Sequence, residues 1–169
     1  MKTSLALLIT LFAVTAFAQT SADEVAVISA SVLHHYSQSQ PYITEPVLLG
    51  QVTEKLAPAK PNLWTPEALE AYEAANASSI AIAAGIELPE NVTIGDVTRY
   101  RNTHNGTLVF RIARPAFVSA DHAYVRYDFV PHELIPKSTY ASTLLELRKH
   151  GGQWRVVGGV IPATASAGQ

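Results

Sequence analysis

Histidines are the first residues to weigh for acid–base or metal chemistry, because imidazole titrates near neutral pH and ligates transition metals. His34 and His35 are adjacent, within a stretch of helical periodicity. Neighbours on a helix point about 100° apart, whereas a helical metal pair wants a spacing of three or four. They read as surface or helix-end histidines. Asp121-His122 and His132-Glu133 are two further pairs. The strand expected between them, about eight residues at ~3.3 Å each, holds them roughly 20 Å or more apart. No metal site is expected. The chain has no cysteine, so thiolate nucleophiles and thiolate ligands are excluded. No Gly-x-Ser-x-Gly elbow marks a nucleophilic serine. No glycine-rich phosphate loop occurs either; Gly158-Gly159 falls inside a strand pattern and suits a bulge or close packing. The polar group that stands out is Arg114, with Tyr127 and Asp128 on the neighbouring predicted strand and His122 near that strand's start. On a concave sheet these four are the candidate ligand-binding residues, suited to an acidic ligand. The plainer alternative is a structural Arg–Asp cross-strand pair. No catalytic residue and no cofactor is assigned.

The elements that must position these groups are best defined at the C-terminal end. Thr143 to His150 and Gln153 to Ile161 alternate in polarity around Gly151-Gly152, a strong hairpin signal. A two-residue loop pairs His150 with Gln153, Lys149 with Trp154, Leu147 with Val156, Leu145 with Gly158 and Thr143 with Val160. One face is then mostly apolar and the other carries Arg148 opposite Arg155, as in a sheet packed on one side. Ala123 to Val130 alternates too, and Leu108 to Arg114 is a strand with Pro115 marking a bulge. Val92 to Arg101 reads as a further strand. Asn105-Gly106 looks like a turn, but a two-residue loop there sets Arg101 opposite Phe110, a conflict of register. Ile43 to Val52 is extended, and Pro46 demotes it to an edge or bulged strand.

Two helices precede most of the sheet. Ser21-x-x-Glu24 forms a capping box, and Val25, Ile28, Val32 and Tyr36 make an apolar stripe, so a helix is expected over about 22–37. Thr65-Pro66-Glu67 starts a second helix with an N-cap threonine and proline at the first position. It ends near Ala77, or at Ala84 before Gly85. Ile80 to Ile86 fits a buried helix end or a short strand. The expected fold is α+β: N-terminal helices on one face of a curved antiparallel meander of four to five strands.

Composition bounds the function. Met1-Lys2, an uncharged apolar run from Leu5 to Phe17 and Ala16-Phe17-Ala18 read as a secretory signal peptide cleaved after Ala18. The run is shorter than the about 20 apolar residues of a membrane span. The domains expected are therefore residues 1–18 as leader and 19–169 as one α+β domain, exported to the periplasm or beyond. A formal net charge of −2 argues against nucleic acid or anionic membrane as partner. Sequons at Asn76, Asn91 and Asn105 could bear glycans on a eukaryotic route; a bacterial origin is preferred.

Arg114-Pro-Ala-Phe117, Ala123-Tyr-Val125 and Gly152-Gln-Trp154-Arg-Val156 resemble the Arg-x-x-Phe, Ala-x-Val and Gly-x-Trp-x-Val strands of a family of uncharacterised small secreted proteins. The resemblance covers about half the chain beyond the leader. The family's glycine-rich segment before the last hairpin is absent here. The resemblance implies the fold and export and no activity. A Gly-x-Trp strand also occurs in cystatin- and NTF2-like cones, by analogy alone. The functional expectation is a non-enzymatic binding module of the bacterial envelope, of inhibitor or immunity type among others, with an unknown protein or small ligand as partner. The alternative is a small NTF2-like enzyme or ligand carrier with a pocket in the sheet cone.

Overall fold

A computed structural model describes residues 20–39, 46–58, 63–97, 108–131 and 141–160. The leader, the Asn105-Gly106 turn and His132-Glu133 lie outside the described residues. Helix α1 (Thr20–Ser39) is followed by β1 (Val47–Gly50), α2 (Pro66–Ala75), β2 (Val92–Gly95), β3 (Leu108–Ile112), β4 (Ala116–Ser119), β5 (His122–Pro131), β6 (Ala141–His150) and β7 (Gln153–Val160). The fold is α+β, and among the described residues seven strands form one open, mostly antiparallel mixed sheet. The strand order is β2-β1-β3-β5-β6-β7, with β4 paired to β5.

The meander expected from the sequence holds only for its second half. β1 lies inside the sheet, parallel to both β2 and β3, and is not an edge strand. Pro46 stays just outside the ladder and contributes its carbonyl to Leu108 N at 3.3 Å. Because β1 separates β2 from β3, those two strands never pair. Arg101, whose register with Phe110 the sequence left in conflict, lies outside the described residues. Pro115 divides what would be one long strand into β3 and β4, and both pair with β5.

The final hairpin follows the expected pairing as far as Leu147–Val156. Gly151 and Gly152 hold φ of 57° and 81°, values that glycine adopts without strain. Beyond Leu147 the register shifts, so Leu145 faces Gly159 and Glu146 faces Gly158. Gly159 permits that close approach: a Cβ there would stand 2.9 Å from Leu145 Cδ2.

The sheet is covered on both faces, not one. On one face α1 lays Val27, Ile28 and Val32 against Phe110, Ile112, Val125, Tyr127, Leu145, Leu147 and Trp154. On the other, Leu56, Trp64, Ala68 and Tyr72 pack against Ala113, Ala116, Leu144 and Tyr124. The second apolar patch comes from Leu144 and Tyr124, out-of-phase residues beside an otherwise charged row. Helix α1 already includes Thr20, before Ser21, and Glu24 turns to the sheet. Its carboxylate is buried and accepts from Arg114 Nε at 3.1 Å. Ser31 also lies on the buried side, with its hydroxyl donating to Val27 O. Polar residues share the core face because each has a partner.

Helix α2 starts as its sequence dictates. Thr65 Oγ1 accepts from Ala68 N, and Pro66 fills the first turn. It stops at Ala75, with Asn76 as cap. Asn76 is 3% exposed; its Nδ2 donates to the carbonyls of Tyr72 and Arg114, and its Oδ1 accepts from Arg114 N. A side-chain nitrogen so committed is closed to glycosylation in the folded chain. The stretch from Ile80 continues neither helix; Thr53 N bonds Ile80 O, Ile82 N bonds Gln51 O, and Val52 bridges Ala81.

Candidate functional site

Strand β5 carries three of the four candidate residues, and its alternation sends them to opposite faces. Tyr127 points toward α1 and is 2% exposed. Asp128 and His122 point the other way and stand six residues apart. Arg114 follows β3 and is committed to Glu24. The fold therefore does not bring the four together. The arginine opposite Asp128 is Arg111, not Arg114. Arg111 Nε donates to Glu54 Oε2 at 2.7 Å, and its Nη2 reaches the same oxygen. The Glu54 hydrogen bond, with Asp128 adding attraction, holds the Arg111 pKa above its ordinary value. Arg126 is almost wholly buried; its Nη1 donates to Asp128 Oδ1 at 2.6 Å and to Tyr127 O. Glu54, Arg111, Asp128 and Arg126 form an alternating ladder of two cations and two anions. The Arg114–Asp128 cross-strand pair expected from the sequence does not form: Asp128 pairs with Arg126 on its own strand and Arg114 with Glu24.

His122 begins β5, with its ring against Tyr124 at 4.8 Å between centroids. Its Nε2 lies 3.0 Å from Glu146 Oε1, yet off the alignment of a hydrogen bond.

The sequence missed the residue that joins Tyr127. His35 is not a surface histidine: its ring packs against Phe110, Tyr127 and Phe129 at 4.7 to 5.3 Å between centroids. His35 Nδ1 and Tyr127 Oη share a hydrogen bond of 2.8 Å. Burial, with a smaller push from His34, lowers the His35 pKa to about 4. Burial raises the Tyr127 phenol to about 12, against opposing contributions from a Thr143 hydrogen bond and Arg126. A general base or acid works best with a pKa near the operating pH. Here the two are displaced away from neutrality in opposite directions, so the pair stays a neutral imidazole beside a neutral phenol. The signal that could have found His35 is its spacing from Ile28 and Val32, at seven and three residues. The stripe continues through it.

Two recesses lie elsewhere. One of about 290 Å³ is lined by Gly50, Glu54, Asp96, Val97 and Arg111 among others, and one of about 490 Å³ by Lys55, Leu56, Tyr72, Glu73 and Asn76 among others. Neither has a candidate residue or a histidine in its lining. Among the described residues, no group of three or more His, Cys, Asp or Glu is placed to hold a metal ion. Nor is any described helix long and apolar enough to cross a membrane. Compared with protein-family models, with curated proteins and with solved structures, the chain matches none.

Proposed function

We propose that this protein is an exported binding module of the bacterial envelope, acting through its surface and without chemistry of its own. The observation that carries the reading is the filled interior. Phe110, Ile112, Tyr127, Leu145 and Trp154 are each 6% exposed or less, and Phe129 packs against them. A carrier or enzyme of cone type needs that space for its ligand. The ionisable pair found there, His35 and Tyr127, is enclosed by rings and held neutral, which favours a structural role. Export rests on the leader pattern of residues 1–18 alone. An inhibitor or immunity protein is one form the module takes.

The test is retention of a partner. The purified chain, immobilised and exposed to envelope extract, is expected to hold one protein at fixed stoichiometry through stringent washing. Repeated recovery of nothing above background overturns the proposal.

A further inference from the structure

Helix α2 runs against its own electrostatics at its C-terminal end. The last turn of a helix favours cations, because the peptide dipoles gather negative charge there. That turn of α2 holds no basic residue and carries Glu73, with Glu70 one turn before it. Both are exposed, and like charges three residues apart repel. Among the described residues neither meets a cation. Glu73 lines the recess of about 490 Å³ between α2 and the segment 55–58. Lys55 lines it too, exposed and likewise without a partner among the described residues. The carboxylate beside it in sequence, Glu54, is held by Arg111. Lys55 and Glu73 do not pair with each other, so the recess presents one cation and one anion, held apart and summing to zero. Its apolar lining comes from Leu56, Pro58 and Tyr72. Tyr72 Oη donates to Leu56 O at 2.8 Å, and Asn76 is bound to the backbone of Tyr72 and Arg114. Arg126 and Asp128 reach Tyr72 electrostatically, with opposite signs, and pair with each other.

We propose that this recess binds a short apolar peptide with free termini, its ammonium at Glu73 and its carboxylate at Lys55. The inference goes beyond the binding-module reading, which concerns a protein partner. Charge complementarity names the occupant. A net anion would meet Glu73 and a net cation would meet Lys55, whereas a ligand carrying both charges satisfies both. A single amino acid holds its two charges on one carbon and does not span two groups set apart across an apolar floor. A dipeptide or tripeptide separates them by about 3.3 Å per residue. The recess falls within the range of small-ligand sites, about 300–1,000 Å³. Because the phenol of Tyr72 and the amide of Asn76 are already committed, the ligand's own side chains are selected for apolar contact. The dipole that disfavours Glu73 in the free protein draws an ammonium to the same place. A local rule broken without local compensation is expected where function requires it.

The experiment titrates the isotope-labelled full chain with alanyl-leucyl-alanine, and with the same peptide acetylated at its amine or amidated at its carboxyl. Amide shifts are expected at Lys55, Leu56, Ala57, Glu73 and Asn76. Each cap is expected to weaken binding about tenfold, the size of one charge-assisted hydrogen bond. Lys55→Gln should bind the free and the amidated peptide alike, and Glu73→Gln the free and the acetylated peptide alike. Glu73→Gln should also raise the unfolding midpoint, since it relieves the helix end, so its loss of binding is separated from any loss of fold. Absence of shifts at the recess at millimolar peptide overturns the proposal. So do binding that ignores both caps, a response to the caps that the variants leave unchanged, and free leucine that binds as tightly as the tripeptide.

Discussion

At the scale of single residues, the buried polar groups carry the sharpest consequences. His35 is neutral in the folded chain down to about pH 4, while an unfolded histidine takes up its proton near pH 6.5. Its folded pKa is depressed, so its contribution is complete above pH 6.5. It declines as the unfolded chain protonates first, and has gone by about pH 4. The stability lost across that window is at most about 3 kcal/mol. Denaturant midpoints measured from pH 7 to 4 should fall accordingly, and His35→Gln should flatten that dependence. A wild-type midpoint constant over the window would mean that His35 is solvated. Asp23 acts in a lower window. Burial pushes its carboxyl up, but hydrogen bonds from Lys149 and Trp154 outweigh that and hold its pKa below the usual range. Asp128 is the second test. Removing one partner of a buried pair leaves an uncompensated charge, here Arg126, and typically costs about 3–5 kcal/mol. Asp128→Ala should therefore lower the unfolding free energy by roughly 3 kcal/mol. If Asp128 serves a ligand instead, the variant should unfold like the wild type.

Among the elements, α2 is tied down by its two ends. Asn76 caps it and also bonds both backbone groups of Arg114, so it fixes the helix to the bend between β3 and β4. Asn76→Ala removes all three bonds in a buried setting and should cost about 2–3 kcal/mol, judged by thermal or denaturant unfolding. A loss of only a few tenths would mean that water replaces the amide. This element was legible at its start, where Thr65, Pro66 and Glu67 signal locally, and not at its stop. Asn76 ends the helix through contacts 38 residues away in sequence. The same contrast runs through the sheet. The β6–β7 hairpin was readable from Gly151-Gly152 because its partners are neighbours in sequence. The place of β1 inside the sheet was not legible, because parallel neighbours leave no turn between them to read. The α1 stripe was found only in part: Glu24, Ser31 and His35 face inward, and hydropathy cannot show that each has a partner waiting. The candidate site suffered from the same limit. Tyr127 and Asp128 were placed on one strand correctly, but their partners His35 and Arg111 depended on long-range packing and on register past Pro115.

For the whole molecule, the decisive fact is that two apolar clusters share the strands β5 and β6. A sheet buried on both sides has no face that can open alone. The chain holds two tryptophans, Trp64 in one cluster and Trp154 in the other. Single-tryptophan variants, Trp64→Phe and Trp154→Phe, should each report one cooperative transition, with equal ratios of midpoint to wild type by far-UV dichroism and fluorescence. Two separated transitions would show the layers to be independent. Helix α1 and the final hairpin are also partners: Asp23 accepts from Lys149 Nζ of β6 at 2.6 Å and from Trp154 Nε1 of β7 at 2.9 Å. On a growing chain, α1 leaves the ribosome with its apolar stripe complete and its landing surface not yet made. Some 130 residues of synthesis separate Asp23 from Trp154. Until β3, β5 and β6 emerge, the helix lacks most of the surface it buries against, and its Asp23 contact with Trp154 closes only once β7 is made.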